Sequence, residues 1–279
     1  FSDPLVEDIK TNKRYRADHL IQAWLKTQTD SNLQSISVED MKLEEMAAFI
    51  VEHHITSPDG NPITAPRAFN LLFETEIGAV AGAKAKVYLR GETAQGIFSN
   101  FKQVLDTTRV KLPFGIGQIG KSFRNEITTG QFVFRTLEFE QAEIEYFFNP
   151  QASDWQAIME NWKNKMWQFV TNKLGIKADN LRWRQHTDKE RSHYSKDTYD
   201  LDYAFPFGWS ELWGVAYRTD YDLKQHMQFS GESLEYLDAN TGERFVPHVI
   251  EPAVGVNRLF LMTLCDAYEY DEAKQRTVL

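Results

Sequence analysis

The stretch 120–148, GKSFRNEITTGQFVFRTLEFEQAEIEYFF, decides the fold. Its two runs, GKSFRNEI and QFVFRTLEFEQAEIEYFF, are rich in aromatic and β-branched residues, and Thr128, Thr129 and Gly130 stand between them as a turn. Residues 118–148 therefore read as one long antiparallel hairpin. Side chains alternate faces along a strand, so Arg124 and Glu126 share a face. On the returning strand the same rule groups Arg135, Leu137, Phe139, Gln141 and Glu143.

Just upstream, GIGQIGKS (115–122) matches the phosphate-loop pattern G-x-x-x-x-G-K-[ST], and Gly115, Gly117 and Gly120 match G-x-G-x-x-G. Both motifs need a strand before and a helix after, so that backbone N–H groups at the helix start cradle phosphate. Here strand-like residues follow and Pro113 precedes. The match is set aside, and Lys121 reads as a strand-edge lysine.

Working outward, KLEEMAAFIVEHH (42–54) spaces Leu43, Met46, Phe49 and Ile50 as one helical face. SPDGNPITAPR (57–67) is turn-rich and reads as a loop. Residues 153–174 predict a helix with a Ser153–Gln156 capping box, an apolar face of Trp155, Ile158, Trp162, Met166 and Phe169, and Gly175 as its stop. Residues 246–268 read as a strand, a glycine-containing turn and a buried helix from near Val256. Long strands with separate helices predict an α+β fold: an antiparallel sheet flanked by helices.

The composition of the 279 residues, 42% hydrophobic and 25% charged, is that of a globular chain. No apolar run approaches the ~18 residues of a membrane span, and no signal-peptide pattern opens the chain. The single cysteine, Cys265, allows neither an internal disulfide nor a thiolate zinc cluster, which suits a reducing, cytoplasmic setting. The net charge of −9 argues against a nucleic-acid partner unless the cations are gathered on one face.

Arg124, Glu126 and Phe139 together have the makings of an ATP site. A guanidinium suits the α-phosphate, where negative charge builds during attack; a flat ring stacks on adenine; an acid accepts from the adenine amino group. Spacing alone leaves open a surface Arg–Glu ladder of little energetic weight.

Several longer blocks bear on the choice. FRNE (123–126), followed by FRTLEFEQAE (134–143), resembles motif 2 of the class II aminoacyl-tRNA synthetases, and GVNR (255–258) resembles their motif 3. RYRADHL (14–20), YLRGETAQGIF (88–98), DTTRVKLPFGIGQIGKSFRNEIT (106–128), RTDYDL (218–223) and PHVIEP (247–252) are similar to glycyl-tRNA synthetase of the homodimeric type. The resemblance implies a class II catalytic core with helical insertions at about 1–70 and 150–195. It also implies that motif 1 and the anticodon-binding domain lie outside these residues.

By the same resemblance, Arg124, Arg258 and Glu211 are the catalytic residues. Arg124, Asn125, Glu126, Phe134, Arg135, Phe139, Glu211, Leu212, Gly255 and Arg258 bind ATP, with Glu211 placing Mg²⁺. Arg16, Glu92, Gln141, Glu143 and Glu251 form the glycine pocket. The implied partners are glycine, ATP, tRNA-Gly and a second copy of the chain, with no membrane. Carboxylates suit the glycine ammonium, and a filled space at its Cα rejects every larger amino acid.

The sequence also departs from the family pattern. Gly91 stands where proline is usual, freeing the backbone before Glu92. Ala253 replaces a serine, losing a hydrogen bond worth about 1 kcal/mol. Asn257 replaces an aspartate and Leu137 an arginine. KTNKR (10–14) and SPDGN (57–61) replace the cysteine pairs that hold zinc in some relatives, so no structural zinc is expected; His53 and His54 read as structural. Two other readings stand beside glycyl-tRNA synthesis: an activating paralogue that loads another acceptor, and a non-catalytic subunit on the same fold.

Overall fold

The computed structural model describes residues 2–30, 33, 36–38, 41–78, 84–188 and 190–278. The chain divides into two compact units: Phe1–Gly91 with Phe123–Leu137, and Glu92–Ser122 with Glu138–Leu279.

In the first unit, β1 (Ser2–Glu7) lies between β2 (Arg14–Arg16) and β3 (Arg67–Asn70), both antiparallel to it. Helix α1 (Ala17–Leu25) buries Ala17, Ile21 and Leu25, a spacing of four that makes one stripe. The stripe meets Met46, Phe49 and Ile50 of α2 (Leu43–Glu52), the face predicted from the sequence, and Val6 of β1. A hairpin of β4 (Glu74–Ile77) and β5 (Ala85–Tyr88) follows.

KTNKR and SPDGN are stapled by a carboxylate. Buried Asp8 accepts from Ser57 Oγ (2.5 Å) and Asn61 Nδ2 (3.1 Å), and from the Lys10 and Thr11 amides (2.8 and 2.9 Å). Burial alone would raise the Asp8 pKa, but these bonds outweigh it and hold the carboxyl well below the usual range.

In the second unit, six strands form one sheet in the order β6-β7-β13-β10-β9-β8. They are β6 (Phe114–Phe123), β7 (Glu138–Phe148), β8 (Leu181–Gln185), β9 (Asp197–Phe205), β10 (Gly208–Thr219) and β13 (His248–Gly255), with β11 (Tyr236–Leu237) and β12 (Arg244–Phe245) forming a small ribbon. Helix α3 (Ala94–Thr108) lies on one face through Ile97, Phe98 and Phe101, which pack with Phe147, Val249 and Leu223 of α5 (Tyr221–Ser230). Each such apolar side chain contributes roughly 1.5–3 kcal/mol by leaving water. Helix α4 (Trp155–Gln168) covers the other face, where Met159 and Met166 meet Phe148, Val215, Tyr217 and Ile250. The switch from Phe147 to Phe148, and from Val249 to Ile250, is the strand alternation at work.

The structure corrects the sequence reading in three places. The long hairpin is interrupted: β6 ends at Phe123 and β7 begins only at Glu138. The amides of Phe123, Arg124 and Asn125 are drawn to the carbonyls of Arg90, Leu137 and Leu71, and Gln131 and Phe132 take left-handed backbone, which ends strand geometry whatever their β-propensity. Arg124, Glu126 and Arg135 therefore lie off the strands. Second, α4 is capped by Asp154, which accepts from the Gln156 amide, rather than by Ser153. Third, α6 (Val256–Ala267) starts where expected but buries only Leu261 and Met262, with Phe260 half exposed. The phosphate-loop match lies inside β6. Among the described residues no helix is long and apolar enough to cross a membrane.

Candidate active site

In the second unit, β7 turns its odd-numbered side chains to the face that carries α3. Gln141, Glu143, Glu145 and Phe147 form this row, and all are buried. Glu143 accepts from the Thr93 amide (2.9 Å), the Thr93 hydroxyl and the Gln141 amide group. A carboxylate has about four acceptor positions, so among the described residues one remains open. Burial, then the charge of Glu251, raises the Glu143 pKa to about 7 against the pull of Thr93.

On β13, buried Glu251 faces Arg218 of β10. The Arg218 guanidinium, 2% exposed, donates Nη1 to Glu251 Oε1 (2.8 Å). Its Nε and Nη2 form a fork to Asp222 (2.7 and 2.8 Å), at the start of α5. Glu92 Oε1 lies 4.0 Å from Nη2. The Tyr194 ring centroid is 4.0 Å and the Phe98 centroid 5.5 Å from the guanidinium, which is thus faced by aromatic rings as well as carboxylates. Glu92 accepts from Gln95 Nε2 (3.0 Å), which also bonds Asp222 (3.1 Å). Four of the predicted glycine-pocket residues, Glu92, Gln141, Glu143 and Glu251, are therefore brought together.

A second group lies on β10 and α6. Arg258 donates Nη1 to the Glu211 carbonyl (2.9 Å) and side chain (3.1 Å). Asp200 of β9 is nearby: a Cβ on Gly214 would stand 3.7 Å from Asp200 Oδ1 and 3.9 Å from Glu211 Oε1. Burial raises the Asp200 pKa and Glu211 adds to it, against a 2.7 Å bond with His186 and a 2.5 Å bond from Arg184. Leu212 is buried, and Gly255 ends β13 beside the Arg258 stem. Asn257 accepts from the Glu140 amide (2.8 Å), one residue beyond Phe139.

The remaining predicted residues belong to the first unit. Arg124 donates Nε to the Gly91 carbonyl (3.1 Å), and the Glu126 amide returns to the Arg124 carbonyl (2.8 Å), a tight turn. Asn125 and Phe134 have backbone bonds to Leu71 and Gln131. Arg16 is clamped by Asp3 (2.6 Å) and by both oxygens of Asp18 (3.1 and 2.6 Å), with Glu126 adding to its stabilisation. Arg135 acts on Asp3 and His19 in the same charged neighbourhood. Arg124 and Glu126 thus belong to one unit and Phe139 to the other, not to two neighbouring strands.

Sequence reasoning missed Arg218, Asp222, Glu145, Thr93 and Asp200. Two signals were present: the 218/222 spacing of four, and the period-two row running past Glu143 to Glu145.

Comparison with known proteins bears on this arrangement. Residues 75–267 match the family described as tRNA synthetase class II core domain (G, H, P, S and T). The chain is 51% identical over 282 residues to glycine--tRNA ligase of Caldanaerobacter subterraneus subsp. tengcongensis, covering 99% of this chain and 59% of that protein. It is 48% identical to the glycine--tRNA ligases of Acetivibrio thermocellus (99% of this chain, 58% of that protein) and Clostridium acetobutylicum (100% and 60%). The chain thus spans about three fifths of the length of these relatives. Among solved structures, Giardia lamblia prolyl-tRNA synthetase in complex with prolyl-adenylate superposes with a TM-score of 0.56 at 17% identity, over 70% of this chain and 37% of that one, a likeness of fold.

Proposed function

This chain belongs to the tRNA synthetase class II core family, and from that premise we propose that it activates glycine with ATP and passes it to tRNA-Gly. The observation that carries the choice of amino acid is the gathering of Glu92, Glu143 and Glu251, with buried Arg218 bonded to Glu251 and 4.0 Å from Glu92. Carboxylates answer the glycine ammonium, and one acceptor position on Glu143 is open to it. Glycine is told from larger amino acids, in this reading, by a filled space at its Cα that a side chain would overlap.

In the proposed reaction a glycine carboxylate oxygen attacks the α-phosphorus of ATP. The bond to the bridging oxygen breaks and pyrophosphate leaves, giving glycyl-adenylate. A terminal ribose hydroxyl of the tRNA then attacks the acyl carbon and AMP leaves. Neither step needs a protein nucleophile; positioning and charge stabilisation suffice. Arg124 meets the α-phosphate and Arg258 the γ-phosphate or the adenine face. Glu126 accepts from the adenine amino group and Phe139 stacks on the base. Asn125, Phe134, Arg135, Leu212 and Gly255 line the nucleotide, and Arg16 closes over the substrate.

Glu211, with Asp200 as second carboxylate, would hold Mg²⁺, which would neutralise phosphate charge when bound. Mg²⁺ takes one or two carboxylates and leaves its other positions to phosphate and water, so the Asp200–Glu211 pair fits it. Among the described residues no group of three or more aspartate, glutamate, histidine or cysteine side chains is arranged to hold a metal ion. We assign the protein to the cytoplasm, as one of two copies in a dimer, with insertions at about 1–70 and 150–195.

Exchange of labelled pyrophosphate into ATP, run with each amino acid in turn, tests the proposal. Glycine supports exchange if it is right. Exchange with another amino acid in preference, or none from the folded protein, overturns it.

A further inference from the structure

Glu145 has no role in the chemistry above, yet it is the most buried acid in the pocket wall. It is 0% exposed, and among the described residues no N–H or O–H group donates to either of its oxygens. An ionised carboxylate left in that state would forfeit its hydration with nothing in return. Its neighbours make ionisation worse. Tyr146 pairs with Ile250 and Glu143 with Ala253, so the register sets Glu145 across from Glu251, and the two side chains are within hydrogen-bond reach.

The charged groups acting on Glu145 come from each packed element: Glu143 on its own strand, Glu251 on β13, Arg218 on β10 and Asp222 on α5. The three bonds Arg218 makes to Asp222 and Glu251 already engage its Nε, Nη1 and Nη2. Burial first, then Glu251, pushes the Glu145 carboxyl well above the usual range despite Arg218.

We propose that Glu145 is held as a neutral carboxylic acid whose hydroxyl donates to Glu251, fixing that carboxylate toward Arg218 and the bound amino acid. Glu145 is then a positioning residue: it touches no substrate and acts through Glu251. With its proton kept, one oxygen finds its partner by donating to Glu251, and the other is a neutral carbonyl oxygen that costs far less to leave without a donor than an ionised carboxylate would. Glu251 gains a second anchor beside Arg218, which leaves its carboxylate one orientation in which to meet an ammonium. The consequence for glycine rests on the function proposed above; the protonation state does not.

The test uses the whole protein and two readouts. The first is the infrared spectrum of the protein without substrate, taken well above neutral pH, for the unmutated chain minus Glu145→Gln. A carboxylic-acid C=O band present in the unmutated chain and missing from the variant supports the proposal. A carboxylate band lost instead overturns it.

The second is the glycine and ATP KM in pyrophosphate exchange. Glu145→Gln keeps a neutral donor of the same shape, so its glycine KM stays within about threefold of the unmutated value. Glu145→Leu cannot donate, so its glycine KM rises about tenfold or more while the ATP KM holds. A Gln variant as impaired as the Leu variant shows that charge was needed, and overturns the proposal. If the unmutated chain shows no exchange, the glycine reading fails and the infrared comparison still decides Glu145. If the Leu variant does not fold, the Gln variant and its spectrum decide it.

Discussion

Consider Arg218→Met, which keeps most of the side-chain volume and removes the charge. Arg218 makes three bonds of 2.7–2.8 Å to Asp222 and Glu251, all buried. Without it the pocket holds carboxylates with no cation, and the least costly escape is to protonate one. Holding a carboxyl of ordinary pKa ~4.3 protonated at about pH 7.5 costs roughly 3.2 × 1.36, or about 4 kcal/mol. That falls within the ~3–5 kcal/mol typical of breaking a buried pair.

The sign follows from linkage. In the variant the acid's folded pKa is raised above its unfolded value. Its contribution to stability is fully present below about pH 4.3 and is lost as pH rises toward the folded pKa. The deficit therefore shrinks on acidification, to about 2 kcal/mol near pH 6. Urea unfolding of both proteins at the two pH values measures it. A deficit below about 1 kcal/mol, or one that does not change with pH, would refute the reasoning.

Three further residues, Glu143, Ala253 and Asp8, give expected outcomes. Because the Glu143 pKa is raised to about 7, the glycine KM falls as pH rises through that value, and Glu143→Gln loses this dependence. For Glu143 itself, stability is fully present below the unfolded pKa and is lost progressively as pH rises to about 7, readable in the same urea titration. Ala253→Ser restores a hydroxyl beside the pocket and lowers the glycine KM by about fivefold, the equivalent of one hydrogen bond of ~1 kcal/mol; an unchanged KM shows that the hydroxyl does not reach substrate. Asp8→Ala unfastens the 8–13 and 57–61 loops, so the Lys10 and Thr11 amides lose hydrogen-exchange protection while those of β7 keep theirs.

Much of the fold was legible because its signals are local. Met46, Phe49 and Ile50 mark α2 by spacing alone, and the passage from β13 through Gly255 into α6 follows from an apolar run, a glycine and a second run of helical period. The false phosphate loop could be dismissed because strand residues followed it. The hairpin between Phe123 and Glu138 could not be read correctly, since distant carbonyls at Leu71 and Arg90 draw its amides out of the ladder. The pocket was half legible. Gln141, Glu143 and Glu145 lie in a visible period-two row and Arg218 stands four residues before Asp222, but neither pattern says that Arg218 and Glu145 are buried. Their meaning appears only when β13, β10 and α5 bring Glu251 and Asp222 against them.

The central claim is that the β7–β13 carboxylates receive the ammonium of glycine. Comparing Glu143→Gln with the unmutated protein in pyrophosphate exchange above neutral pH tests it most directly. The account predicts a glycine KM raised about tenfold or more, with the ATP KM unchanged. A glycine KM that stays the same, or an ATP KM that rises with it, would contradict the account.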